Sequence, residues 1–185
     1  MEMGYKKLSV CFWVFLILVC STFSVDGDDD LFLKLKIQPM REKKKAPEFG
    51  LDGLGGRRVE LKNFKGKVIF LTFWATWCGP CKQELPLVEA LHRQFKGKDF
   101  VVLTIAVDLE GAIPVEKFIA KHGYTFYVLV DPKNEVLDRY RVQGIPMTFL
   151  IDKKGRIVGK ALGPRNWKSP EAISLLTQLI ETIEK

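Results

Sequence analysis

At 185 residues with 47% apolar content, the chain is long enough for one packed domain and an appendage. Its 29 Lys and Arg exceed its 22 Asp and Glu by seven charges, but much of the excess gathers at Arg41, Lys43, Lys44 and Lys45 with no aromatic residue interleaved. This distribution argues against a reader of nucleic acid and leaves a solvated linker or a segment drawn to an anionic membrane surface.

The first element in chain order is a leader. Lys6 and Lys7 precede an uncharged, largely apolar run from Leu8 to Val25, and Asp26, Asp28, Asp29 and Asp30 follow it at once. Positive, then apolar, then polar is the order of an export signal. The run also reaches the lower length limit for a membrane-crossing helix, so residues 1–25 read as a signal peptide or an N-terminal membrane anchor. Thr22-Phe23-Ser24 is a poor cleavage site, and the bulk of Val19 speaks against lipid attachment at Cys20. Positive charges before the run place the remainder of the chain on the far side of the membrane.

Residues 26–46 carry no sustained apolar period and read as a charged linker, so the globular domain is expected over 47–185. Within it, Phe49 to Leu61 holds glycines between short apolar stretches and predicts a hairpin. The continuous run Val68 to Trp74 predicts a strand buried on both faces. Pro80 to Phe95 has helical spacing at Val88, Leu91 and Phe95, with Pro86 placed to kink it. Phe100 to Val107 predicts a second buried strand, Val115 to His122 a short helix, Phe126 to Val130 a brief strand and Glu135 to Tyr140 a helical turn. Met147–Asp152 and Ile157–Leu162 read as an antiparallel pair joined by Lys153-Lys154-Gly155. Pro170 opens a last helix striped by Ala172, Ile173, Leu176, Leu179, Ile180 and Ile183. Strands alternating with helices give an α/β fold, a mixed sheet covered on both faces. There is no internal repeat.

Two of the four cysteines, Cys11 and Cys20, lie in the leader, so the folded part has the single pair Cys78 and Cys81. Zinc needs about four ligands, and His92 and His122 show no paired spacing, which argues against a metal. Haem attachment would need His at position 82, which is Lys. A structural disulfide is common in exported proteins, but this one would close a loop too small to constrain the chain much. The redox reading has a basis in placement. Cys78 follows a buried strand and opens a helix, where free N–H groups and the helix dipole favour a thiolate. Gly79 allows close approach and Pro80 presets the first turn. Cys78 is then the nucleophile and Cys81 the resolving thiol, and this pair is the only redox group expected, with no further cofactor.

Trp77-Cys78-Gly79-Pro80-Cys81, preceded by Phe73-Trp74-Ala75, resembles the thioredoxin superfamily. The wider arrangement, from about Pro47 to Lys185, is similar to its TlpA/ResA-like branch, exported disulfide reductases related to the AhpC/TSA redoxins. The resemblance implies a thioredoxin fold with an N-terminal β-hairpin and a helical insert, here Glu110 to Tyr124. It implies a cis Ile145–Pro146 bond beside the cysteines, with the backbone of Ile145 pairing to an incoming peptide. Thr72 stands where thioredoxin has a buried acid, and Glu84, one helical turn beyond Cys81, resembles the active-site glutamate of ResA-like proteins. If buried, Glu84 would titrate high and could take the Cys81 proton. Gly163-Pro164-Arg165-Asn166-Trp167 resembles a loop of TlpA-like proteins, with no role attached to it.

The resemblance further implies a reductase of protein disulfides outside the cytoplasm, in the periplasm or on the outer face of the inner membrane. It implies a membrane thiol-electron transporter of the CcdA or DsbD kind as donor, and apocytochrome c as one substrate. A peroxiredoxin-like thiol peroxidase is the alternative enzyme, although the Pro-x-x-x-Thr-x-x-Cys setting of that class is missing before Cys78. A redox-inactive binding module is the alternative from another class, and the intact cysteine pair speaks against it.

Overall fold

The computed structural model describes residues 27–182. The expected leader, its Cys11 and Cys20, and Ile183 of the last apolar stripe lie outside the described residues. Among the described residues, no helix is long and apolar enough to cross a membrane.

In chain order the elements are α1 (Gly27–Lys34), β1 (Gln38–Pro39), β2 (Gly50–Gly53), β3 (Arg58–Glu60), a 3-10 turn (Leu61–Phe64), β4 (Val68–Trp74), α2 (Gly79–Gln94), β5 (Phe100–Ala106) and α3 (Ala112–His122). They continue with β6 (Tyr127–Val130), α4 (Glu135–Arg139), β7 (Met147–Ile151), β8 (Ile157–Leu162) and α5 (Pro170–Glu181). One eight-stranded sheet takes the order β1-β8-β7-β4-β5-β6-β2-β3. β4 and β6 run parallel to β5, and the other pairings are antiparallel, including the expected β2–β3 and β7–β8 hairpins. This is the mixed sheet, flanked by helices, of the thioredoxin fold.

The position of β4 follows from its composition. All seven of its residues are buried, and it sits between β5 and β7 with Phe70 and Phe73 wholly enclosed. A strand with no polar side has nowhere stable to lie except the middle of a sheet covered on both faces. Its carboxyl end therefore delivers the next residues, Ala75 to Cys78, to the rim of the sheet. At the close of the chain, the Ser169 hydroxyl accepts from the Ala172 N–H at 3.2 Å and caps α5, with Pro170 in the first turn.

The linker expectation for residues 26–46 is corrected from Gly27 onward. α1 and β1 add to the domain: Phe32, Leu35 and Ile37 are buried, and β1 pairs with β8 through Gln38–Lys160 and Pro39–Gly159. Gly159 shows how closely this segment docks. A Cβ there would lie 2.6 Å from the Phe32 ring and 2.9 Å from a methyl group of Ile37, so only glycine fits under the N-terminal segment. Burying Phe32 contributes roughly 1.5–3 kcal/mol, enough to hold a helix of two turns that has little stability alone.

Candidate active site

The pair Cys78 and Cys81 stands where β4 hands the chain to α2. Cys78 is the N-cap of α2 in an extended conformation, Gly79 and Pro80 form the start of its first turn, and the Cys81 N–H donates to Cys78 Sγ at 3.2 Å. The sulfur thus occupies the place of a capping oxygen, where unsatisfied N–H groups and the helix dipole stabilise negative charge. The two sulfurs are joined at 2.01 Å, so this is the disulfide form. Cys78 keeps 5% of its surface and Cys81 1%, while Trp77 beside them is 65% exposed.

The approach to Cys78 is held by a residue that the sequence reading passed over. Asp108, fully buried just beyond β5, accepts from the Thr76 N–H at 3.1 Å and from the Thr76 hydroxyl. Its carboxylate ties the loop before the nucleophile to the neighbouring strand, and the Val107 N–H to Trp74 carbonyl bond at 2.9 Å adds a second tie. The signal available was a single Asp at the end of a buried strand, which composition alone does not single out.

Opposite the cysteines lies the Ile145–Pro146 turn, whose peptide bond is cis, as expected. The Ile145 carbonyl oxygen is 3.8 Å from Cys78 Sγ. Among the described residues, neither the N–H nor the carbonyl of Ile145 is used in a backbone hydrogen bond, so this edge is free to pair with an extended peptide. Next to it opens a shallow cavity of about 290 Å³ lined by Trp77, Val107, Leu109, Leu137, Val142 and Ile145, together with polar groups. Leu109 is 70% exposed at its mouth.

Glu84 lies one turn beyond Cys81 on α2 and is only 2% exposed. Burial pushes its carboxyl above the ordinary carboxylate range, opposed by the Arg165 N–H, the Trp167 indole and the Arg165 charge. Both donors reach one oxygen: Oε1 accepts from Arg165 N–H at 2.9 Å and from Trp167 Nε1–H at 2.7 Å. Thr72, at the position of thioredoxin's buried acid, is satisfied by its cross-strand neighbour, whose Thr148 hydroxyl lies 3.0 Å away. Every residue singled out for the site, Trp77, Cys78, Gly79, Pro80, Cys81, Glu84, Ile145 and Pro146, belongs to α2, the loop before it or the facing turn.

Residues 43–160, well over half of the chain, match the model of the AhpC/TSA family. The chain is 35% identical over 159 residues to the thiol-disulfide oxidoreductase ResA of Bacillus thuringiensis subsp. konkukian, covering 85% of this chain and 90% of that one. A structure from Chlorobium tepidum, assigned as the thiol:disulfide interchange protein DsbE, superposes with a TM-score of 0.70 at 33% identity over 76% of this chain and 99% of that one. The pneumococcal exposed lipoprotein thioredoxin of Streptococcus pneumoniae gives a TM-score of 0.61 at 31% identity, covering 72% of this chain and all of that one.

Proposed function

We propose that this chain, which belongs to the AhpC/TSA family and within it to the ResA-like thiol-disulfide oxidoreductases, reduces disulfides of other proteins outside the cytoplasm. The observation that carries the reading is the pairing of a thiolate-stabilising N-cap at Cys78 with a buried carboxyl one turn behind Cys81.

In the reduced enzyme, the Cys78 thiolate attacks one sulfur of a substrate disulfide, which breaks and releases the first substrate thiolate. The substrate is then held to Cys78 by a mixed disulfide, with its backbone against Ile145 and an apolar flank over Trp77 and Leu109. Glu84 accepts the Cys81 proton, directly or through water, and the Cys81 thiolate attacks Cys78 Sγ. The mixed disulfide breaks, the second substrate thiolate leaves, and the Cys78–Cys81 disulfide remains. Two electrons have passed to the substrate, and its two departing thiolates take up one proton from Glu84, which regains its carboxylate, and one from solvent. A donor must then reduce the enzyme again, and a membrane thiol-electron transporter of the CcdA or DsbD type fits a chain delivered beyond the membrane by the leader at Leu8–Val25. A periplasmic or outer-face location, signal cleavage or anchoring by that leader, and apocytochrome c as one substrate belong to the same proposal. The exposed lipoprotein of Streptococcus pneumoniae supports the location.

As a base, Glu84 works in its ionised form. Burial raises its titration, so the rate of the resolving step climbs with pH through a limb above the ordinary carboxylate range. Glu84→Gln removes the base, and stopped-flow traces of mixed-disulfide decay are expected to lose that limb and to run slower above it, by about ten- to a hundredfold. Stability moves the other way. A carboxyl whose titration is raised by folding holds its proton more tightly in the native state, so stability falls as pH rises from the unfolded value towards the folded one. The variant is therefore expected to melt no lower than the parent at pH 7. An unchanged pH profile would remove Glu84 from the mechanism.

The apolar lip predicts a substrate preference. Leu109→Asp is expected to raise KM several-fold for peptide disulfides flanked by apolar residues while leaving kcat nearly unchanged. Equal KM values for apolar and acidic flanks in both proteins would show that the cavity beside Trp77 takes no part in binding.

A further inference from the structure

We infer that the loop Gly163–Trp167 is a working part of the active centre, in which Trp167 and Arg165 are positioning residues that fix the Glu84 carboxyl and join it to the N-terminal helix. The inference rests on the role proposed for Glu84.

The two donors of this loop converge on Glu84 Oε1, at 2.9 and 2.7 Å. Oε2 receives no donor from the described residues, so the arrangement fixes the group by one oxygen and leaves the other to exchange a proton. Trp167 cannot swing away. It is fully buried, and its ring meets Phe70 of β4 edge-on at 4.7 Å between centroids.

Arg165 anchors the loop from the other side. Its guanidinium donates to the carbonyls of Leu35 at 2.8 Å and Lys36 at 2.9 Å, just past the end of α1, and to Pro164 at 2.9 Å and Gly163 at 3.1 Å in its own loop. Carbonyls at a helix end have no partner within the helix, and a planar five-donor group can satisfy several at once. The Gly163 N–H in turn donates to the Pro146 carbonyl at 2.8 Å. One short loop thus touches the buried carboxyl, the cis-proline turn and the segment through which the chain enters the domain. Arg165 is the charged group that acts on Glu84, and Cys81 is the titratable neighbour on its own helix.

Trp167→Phe keeps the ring against Phe70 and deletes only the N–H. With one donor to the ionised form gone, Glu84 should hold its proton to higher pH. The rising limb of the resolving step is expected to move upward, with exchange about three- to tenfold slower at a fixed pH on that limb and equal rates above it. The 13C shift of the Glu84 carboxyl followed against pH should show the same displacement without reference to turnover. Arg165→Ala should move both readouts in the same direction and speed proteolysis near Leu35 and Lys36, and Arg165→Lys should restore part of the effect. In an E84Q background, Trp167→Phe should change nothing further.

If Glu84→Gln alters the profile while neither Trp167→Phe nor Arg165→Ala moves the limb or the carboxyl shift, the loop is only structural and the inference fails. If Glu84→Gln leaves the profile untouched, the role of Glu84 itself fails, and the positioning role with it.

Discussion

Cys78→Ser is expected to abolish turnover, lowering disulfide reduction by on the order of 10³-fold or more, as the loss of an activated nucleophile does in other enzymes. Of the two sulfurs, only Cys78 is placed to begin the reaction. It caps α2, accepts the Cys81 N–H, faces the unpaired edge at Ile145 and borders the exposed ring of Trp77. Serine preserves the cap, and so the fold, because a hydroxyl is a good N-cap acceptor. What disappears is a group that ionises readily near neutral pH and attacks sulfur. Insulin reduction with dithiothreitol as donor would measure the loss, with circular dichroism as the control for folding. Retained turnover would require another nucleophile, and the described part of the chain contains no third cysteine.

Cys81→Ala is expected to stop the cycle at a different point. The first attack by Cys78 proceeds, but nothing resolves the mixed disulfide, so substrate accumulates covalently on the enzyme. Cys81 is almost wholly enclosed and lies directly behind Cys78, which suits it to attack an internal disulfide and not an external one. Mass spectrometry under non-reducing conditions should find one substrate per chain, released by dithiothreitol, and steady turnover should fall to near background. Normal turnover by this variant would reverse the assigned roles or show that resolution comes from outside the chain.

Much of this was legible in the sequence because the strongest signals are local. The continuous run of apolar, β-branched and aromatic residues at β4 marks a central strand, and a cysteine pair spaced by Gly and Pro at a strand-to-helix junction places its own chemistry. The β7–β8 hairpin follows from a turn sequence between two apolar stretches. The remainder depends on contacts distant in sequence. α1 read as linker because Leu31, Phe32, Leu33, Leu35 and Ile37 lie among charges with no sustained period; the meaning of Phe32 and Ile37 appears when Gly159, more than a hundred residues later, gives them room. Asp108 and Thr76 are ordinary residues until the parallel pairing of β4 and β5 brings them together. Trp167 could be noted as part of a familiar loop, but its partner is Glu84, 83 positions earlier. The position of Glu84 on its helix follows from its spacing after Cys81, whereas its enclosure is a property of the assembled fold.

The most direct test of the reductase assignment is the reduction potential of the Cys78–Cys81 couple. It can be measured by equilibrating the protein with dithiothreitol or glutathione buffers and reading the fluorescence of Trp77, which adjoins the pair. A value near that of thioredoxin, about −270 mV, is the predicted result, since only a strongly reducing dithiol delivers electrons to the disulfides of other proteins. A value near that of DsbA, about −120 mV, would make the chain an oxidant of protein thiols and contradict the direction proposed for it.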